Sequence, residues 1–232
     1  MKKLVFSAIL IAQTTICAFA ARDKAALDQR LDNAKAVVDE IMQTPDKSIP
    51  DSVIQKAKCV AVVPSLKKGA FIVGAQYGQG VVTCRYGNDW SSPVFIRMAG
   101  GSFGFQAGGQ GTDLVLVAVN EKGMQDLLKN KFKIGGDAAA AAGPVGRNAQ
   151  ASTDWKLGAE LLTYSRSKGL LAGIDLDGTS VSQNTEDTNA FYGSPHPFEE
   201  VLKGEVPTPE TAKPFVQTVA KYSQATRQQS LR

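Results

Sequence analysis

Histidine, cysteine and unbalanced charge are all scarce in this chain, and each scarcity removes a class of chemistry. His196 is the only histidine in 232 residues and lies in Ser194-Pro195-His196-Pro197, a loop stiffened by proline. From a single histidine held in such a loop, neither a serine nucleophile with a histidine base nor a metal centre is expected, and no cofactor is implied. Lysine and arginine number 26 against 22 aspartates and glutamates. Such a balance gives no nucleic-acid footprint, so any anion-binding surface has to come from local clusters. Beyond the first 20 residues no apolar run approaches the roughly 20 residues that a membrane-spanning helix needs.

At the N-terminus, Lys2 and Lys3 are followed by the apolar stretch Leu4 to Ile16 and then by Ala18-Phe19-Ala20. That is the form of a secretory signal peptide cut after Ala20. Residues 1–20 are thus expected to be a leader and 21–232 a single domain, periplasmic or secreted and peripheral to the membrane, with the net charge lowered from +4 to +2. Lipoprotein processing requires a small residue ahead of the cysteine, and Ile16 precedes Cys17, so lipidation is not expected. Cys59 and Cys84 read as a disulfide in an oxidising compartment, with two buried thiols as the alternative.

Half of the 22 glycines lie between Gly69 and Gly111, interleaved with aromatic and β-branched residues, which is the composition of bent, closely packed strands. Cys59 to Val63 is an apolar run, Pro64 to Gly69 reads as a turn, and Ala70 to Tyr77 with Gly80 to Tyr86 reads as a hairpin about Gly78-Gln79. Val94 to Met98 and Ser102 to Ala107 read as a strand pair bent at Gly100-Gly101. Leu114 to Val119 is apolar throughout, as in a strand buried on both faces. Trp155 to Ser165, Gly169 to Asp175 and Thr179 to Gln183 are also strand-like. The Ala/Gly-rich segment Gly135 to Gly146 suits either a helix or a small-residue strand that another element approaches closely.

Helices are expected from Lys24 to Met42, where Leu27, Leu31, Ala34, Val38 and Ile41 recur at helical spacing. Others are expected after Pro50, from an Asn120 cap to about Leu128, and over Phe215, Val216, Val219 and Tyr222 in a C-terminal helical extension from about residue 194. Strands flanked by helices without regular β-α alternation predict an α+β fold. Its sheet is mainly antiparallel and strongly bent, as two packed sheets or a barrel-like form, with N-terminal, mid-chain and C-terminal helices.

Several features bear on chemistry. Ile174-Asp175-Leu176-Asp177-Gly178-Thr179 resembles the motif of haloacid dehalogenase phosphatases, but too little sequence follows it for their core, and a hairpin turn on Asp-Gly accounts for it. The glycines of 74–80 and 104–111 match neither G-x-x-x-x-G-K-[ST] nor a G-x-G-x-x-G before a helix, which argues against a phosphate cradle. Basic residues fall at expected turns and strand ends: Lys67 and Lys68; Lys129, Lys131 and Lys133; Arg147, Arg166 and Lys168. Converging, they would attract anionic headgroups at roughly 1 kcal/mol per residue; scattered, they are a solvated surface. The helical stripe Leu27, Leu31, Val38 and Ile41 either faces a membrane or packs on the protein's own core.

The segments CVAVVPSLKKGAFIVGAQYGQGVVTCR, GGSFGFQAGGQGTDLVLVAVNEKGMQDLL, GPVGR, TYSRSKGLLAG and NAFYG occur in that order between roughly Asp23 and Gly193. This succession resembles the SYLF family of lipid-binding domains, also described as the yeast actin-binding-protein family. The resemblance implies non-enzymatic binding of anionic phospholipids at a membrane surface, phosphoinositides in eukaryotic members, assisted by an amphipathic N-terminal helix. For an exported chain, phosphatidylglycerol or cardiolipin are the nearest such lipids. Some yeast members bind and bundle actin, so an envelope structural or protein-interaction module is the alternative. The resemblance supplies no catalytic residues, and no attached Src-homology or FYVE zinc module is seen.

Overall fold

Apolar side chains every third or fourth position make residues 24–42 one helix, α1. Leu27, Leu31, Val38 and Ile41 are each at most 5 % exposed. They lie in a core cluster with Val60, Val115, Leu162 and Phe215, and each such burial stabilises by about 2 kcal/mol. The expectation of a membrane-facing stripe is therefore corrected: that face of the helix is covered by the protein itself. The computed structural model describes residues 24–44, 48–70, 73–103, 112–146, 158–167, 170–174 and 176–224, without the side chains of 68–70, 73–74 and 102–103. The expected leader, Arg147, Lys168, Asp175 and 104–107 lie outside the described residues. No described helix is long and apolar enough to cross a membrane.

After the short α2 (Asp51–Ile54) come β1 (Cys59–Ala70), β2 (Val73–Tyr86), β3 (Asp89–Trp90), β4 (Val94–Phe103) and β5 (Thr112–Ala118). Then follow α3 (Glu121–Leu128), β6 (Lys131–Lys133), β7 (Ala140–Ala142), β8 (Leu161–Ser167), β9 (Leu170–Gly173) and β10 (Ser180–Gln183). The described chain closes with α4 (Thr185–Tyr192), α5 (Phe198–Leu202) and α6 (Lys213–Gln224). The fold is α+β, with one strongly curled sheet in the order β6-β10-β4-β2-β1-β5-β8-β7, β3 added to β2 and β9 to β8. All described strand pairs are antiparallel except β7 with β8. Of the two sheet forms expected, the barrel-like one is observed, as a single curled sheet in the form of a half-barrel.

The central strands are apolar at successive positions because both of their faces are buried. Val60, Val62, Val115 and Val117 face the core beneath α1, α2 and α6. Cys59, Ala61, Val63, Leu114 and Leu116 face a second core beneath α3 and α5, with Phe132, Phe198 and Leu202.

Three expected turns become strand interior. Pro64 and Ser65 form a bulge inside β1, which carries one residue more than either neighbour: Val62 and Lys67 pair with Val81 and Tyr77, and Val63 and Leu66 with Leu114 and Thr112. Gly78 and Gln79 sit mid-strand in β2, opposite Met98 and Arg97. At Gly78 a Cβ would lie 2.5 Å from Val63 Cγ1 and 2.7 Å from Leu66 Cδ1, so glycine there serves close approach, not a turn. β4 runs unbroken through Gly100 and Gly101, which pair with Gln76 and Ala75. Asp177-Gly178 does form a turn, with Gly178 at φ 83°. The strand after it, β10, pairs with β4 and β6 and not with the preceding β9, so the expected hairpin is absent.

Cys59 and Cys84 are cross-strand partners, buried, with their sulfurs 2.02 Å apart. If that bond forms in the purified protein, iodoacetamide under denaturing, non-reducing conditions should leave both cysteines unlabelled, and labelling of both should appear after reduction. Labelling before reduction would identify them as free thiols.

Candidate functional site

The bulge shapes the surface next to α1. Ser65 takes φ 55°, a left-handed conformation that is costly for a residue with a side chain. Its amide donates to Asp113 Oδ1 at 2.9 Å. Asp113 Oδ2 in turn accepts from Arg166 Nε at 3.1 Å, and Arg166 also pairs with Glu40 of α1. Burial pushes the Asp113 carboxyl up from the ordinary aspartate range, and the Ser65 amide, which bonds the charged form, opposes that push. This network fixes the bulge against β5, β8 and α1.

Between the bulge and α1 opens a cleft of about 250 Å³. α1 contributes Ala26, Gln29, Arg30 and Asn33, and the bulge contributes Pro64, Ser65 and Lys67. β2 completes it with Tyr77, Gly78 and Gln79. Arg30 anchors the helix side: it donates to Asp187 Oδ2 at 2.5 Å and Gln79 Oε1 at 2.9 Å, and its guanidinium lies 5.4 Å from the centre of the Phe95 ring. Lys67 and Tyr77 are directly opposite in the β1–β2 ladder and project on the same side. Both are exposed, Tyr77 at 47 %. Lys67 has no ion-pair partner among the described residues. The walls are about as apolar as polar, and the modest volume suits a headgroup and not an acyl chain.

The other basic residues singled out by sequence do not assemble there. Arg166 is engaged by Glu40 and Asp113, and Lys129 by Asp126 at 2.5 Å. Lys131 and Lys133 are exposed on β6, at the far end of the strand order from β7 and four strands from β1. Lys68 pairs through its backbone with Gln76, and its side chain, like Arg147 and Lys168, is outside the description. Only Lys67 of the eight is described at the cleft. Arg30, which is not among those eight, lies there too. Its partners are 49 and 157 residues away, so no local pattern marks it.

Set beside known proteins, residues 99–222 match the family model described as "Ysc84: Las17-binding protein actin regulator". The chain belongs to the Ysc84 family. Ysc84-family relatives include the SH3 domain-containing YSC84-like protein 1 of Xenopus laevis, 36 % identical over 78 % of this chain and 54 % of that protein. The human protein of the same name is 32 % identical over 78 % of this chain and 53 % of its own length. Protein YSC84 of Saccharomyces cerevisiae is 33 % identical over 74 % of this chain and 37 % of its own length. The chain thus spans about half the length of the animal relatives and less of the yeast one. The Ysc84 family model begins within β4, so Arg30 and Lys67 lie before the matched residues. The family description speaks of Las17 binding and actin regulation, and a further yeast relative is named LAS seventeen-binding protein 3.

Proposed function

We propose that this chain binds anionic phospholipid headgroups at a membrane surface and catalyses no reaction. The observation that carries the reading is the pair Lys67 and Tyr77: an exposed cation beside an exposed aromatic ring, both lining a cleft, with neither an ion-pair partner for Lys67 nor a carboxylate in that lining among the described residues. Lysine and tyrosine both join an apolar body to a polar tip, which suits the boundary between water and lipid. Ysc84-family membership supports a binding role over an enzymatic one. The leader-like N-terminus and the bonded sulfurs of Cys59 and Cys84 favour a periplasmic or secreted location.

Co-sedimentation tests the reading. At low salt the protein should pellet with phosphatidylglycerol or cardiolipin vesicles and not with phosphatidylcholine vesicles; equal, negligible binding to all of them would sink the proposal. A protein-binding role is the second reading, favoured by the Las17-binding names among the relatives. It requires a partner captured in pull-downs whose retention is indifferent to lipid.

A further inference from the structure

We propose that the cleft between α1 and the β1 bulge is a discrete site for one phosphate monoester. This rests on the headgroup reading above and gives that reading a place and a ligand class. Arg30 donates to Gln79 Oε1, which fixes the orientation of that amide and leaves its NH₂ group over. Gln29 Nε2 donates to Asn33 Oδ1 at 3.1 Å, leaving the NH₂ group of Asn33. The hydroxyls of Ser65 and Tyr77 and the ammonium of Lys67 have no partner among the described residues. Against these donors stand three uncharged side-chain acceptors, Gln29 Oε1 and the hydroxyl oxygens of Ser65 and Tyr77, and no carboxylate lines the cleft among the described residues. The two acids bonded to cleft residues are both occupied, Asp187 by Arg30 and Asp113 by the Ser65 amide and Arg166.

A cleft with five unused donor groups favours a ligand made of acceptors. A phosphate monoester presents three strong acceptor oxygens and a charge of about −1.5 to −2 at neutral pH, and its bonds to Lys67 are charge-assisted. A diester offers two non-bridging oxygens and a single charge, and leaves more of the donors unmet. At ~30 Å³ per water the volume equals about eight waters, enough for a phosphate with a glycerol behind it. The walls are set before binding: the Ser65 amide is held by Asp113, and the floor at Gly78 is closed by Val63 and Leu66. The monoester could arrive on a lipid such as phosphatidic acid or as a free small phosphate.

Gln79→Glu isolates the site, because the new carboxylate still accepts from Arg30 while the NH₂ donor becomes an anion. Asn33→Asp does the same opposite Gln29 and serves if the first variant melts early. In amide spectra of the full chain, glycerol 3-phosphate should shift Ser65, Gly78 and Gln79 saturably. Gln79→Glu, with an unchanged melting temperature, should weaken that binding roughly tenfold or more, while Gln125→Glu on the exposed side of α3 should leave it unchanged. Vesicles containing phosphatidic acid should bind more tightly than phosphatidylglycerol vesicles of equal mole fraction. If vesicles bind but glycerol 3-phosphate shifts nothing and Gln79→Glu binds them like the parent, the cleft proposal is overturned and surface binding stands. If glycerol 3-phosphate binds and Gln79→Glu loses it while no vesicle binds, the cleft stands with a soluble ligand. If neither probe binds, both readings fail.

Discussion

Gly80→Ala is expected to destabilise the protein by about 3 kcal/mol, lowering Tm by about 6–12 °C for a domain of this size. A Cβ at Gly80 would sit 2.3 Å from the carbonyl oxygen of Val62 and 2.7 Å from Val63 Cγ2. The oxygen belongs to the backbone of a strand paired on both sides, so no rotamer change relieves the contact. Gly101→Ala, in the same glycine-rich stretch, meets nothing within 4 Å and has no positive φ. It should be neutral or stabilise by up to about 1 kcal/mol, because alanine restricts the unfolded chain more than glycine does. Thermal unfolding of the two variants side by side checks the pair; equal melting temperatures would refute the steric account.

Lys67→Glu should reduce partitioning onto phosphatidylglycerol vesicles about 30-fold. Removing one cation near an anionic surface costs about 1 kcal/mol, and placing an anion there costs about as much again; 1.4 kcal/mol is a factor of ten. Lys131→Glu and Lys133→Glu apply the same charge change four strands away in the sheet order, about 19 Å at ~4.8 Å per strand. If vesicles meet the Lys67 side of the molecule, these two should lose far less. A similar loss from all three would mean that the net charge of the whole molecule drives association, and that neither Lys67 nor its cleft is singled out. Raising the salt from low to physiological strength should weaken the parent and shrink the difference between variants, since these are exposed charges.

The parts of this fold that were legible in the sequence are those fixed by local pattern. α1 followed from a helical period, β5 and the first five residues of β1 from uninterrupted apolar runs, and α3 from Asn120, whose side chain accepts from the Gly123 amide. α4 carries its signals in sequence although it is absent from the expected helices: Asn184 accepts from the Asp187 amide and Gly193 closes the helix at φ 75°, a start and stop signal at helical distance. The bulge at Pro64-Ser65 and the straight passage through Gly78-Gln79 were misread for one reason. The residues that make turns also make bulges and close approaches, and the choice is made by partners distant in sequence, here β5 and the side chains of Val63 and Leu66. The cleft has the same character. Lys67 was visible as part of a basic pair, whereas Arg30 gains its place from Asp187 and Gln79, and no window around residue 30 contains either.

The sheet order also dictates how the molecule must come into being. β1 pairs with β5, β5 waits for β8, and β4 waits for β10, whose last residue is Gln183. Such long-range pairing makes for slow folding. A chain made at about 5–20 residues per second exposes β5 for several seconds before β8 follows. During that interval Leu114, Val115, Leu116 and Val117 form an apolar strand with one open edge, the kind of edge that recruits other chains. The two-sided burial that makes these strands stable in the finished protein leaves them open to pairing with other chains before it is finished, and shelter of residues 112–118 until β8 is made works against that.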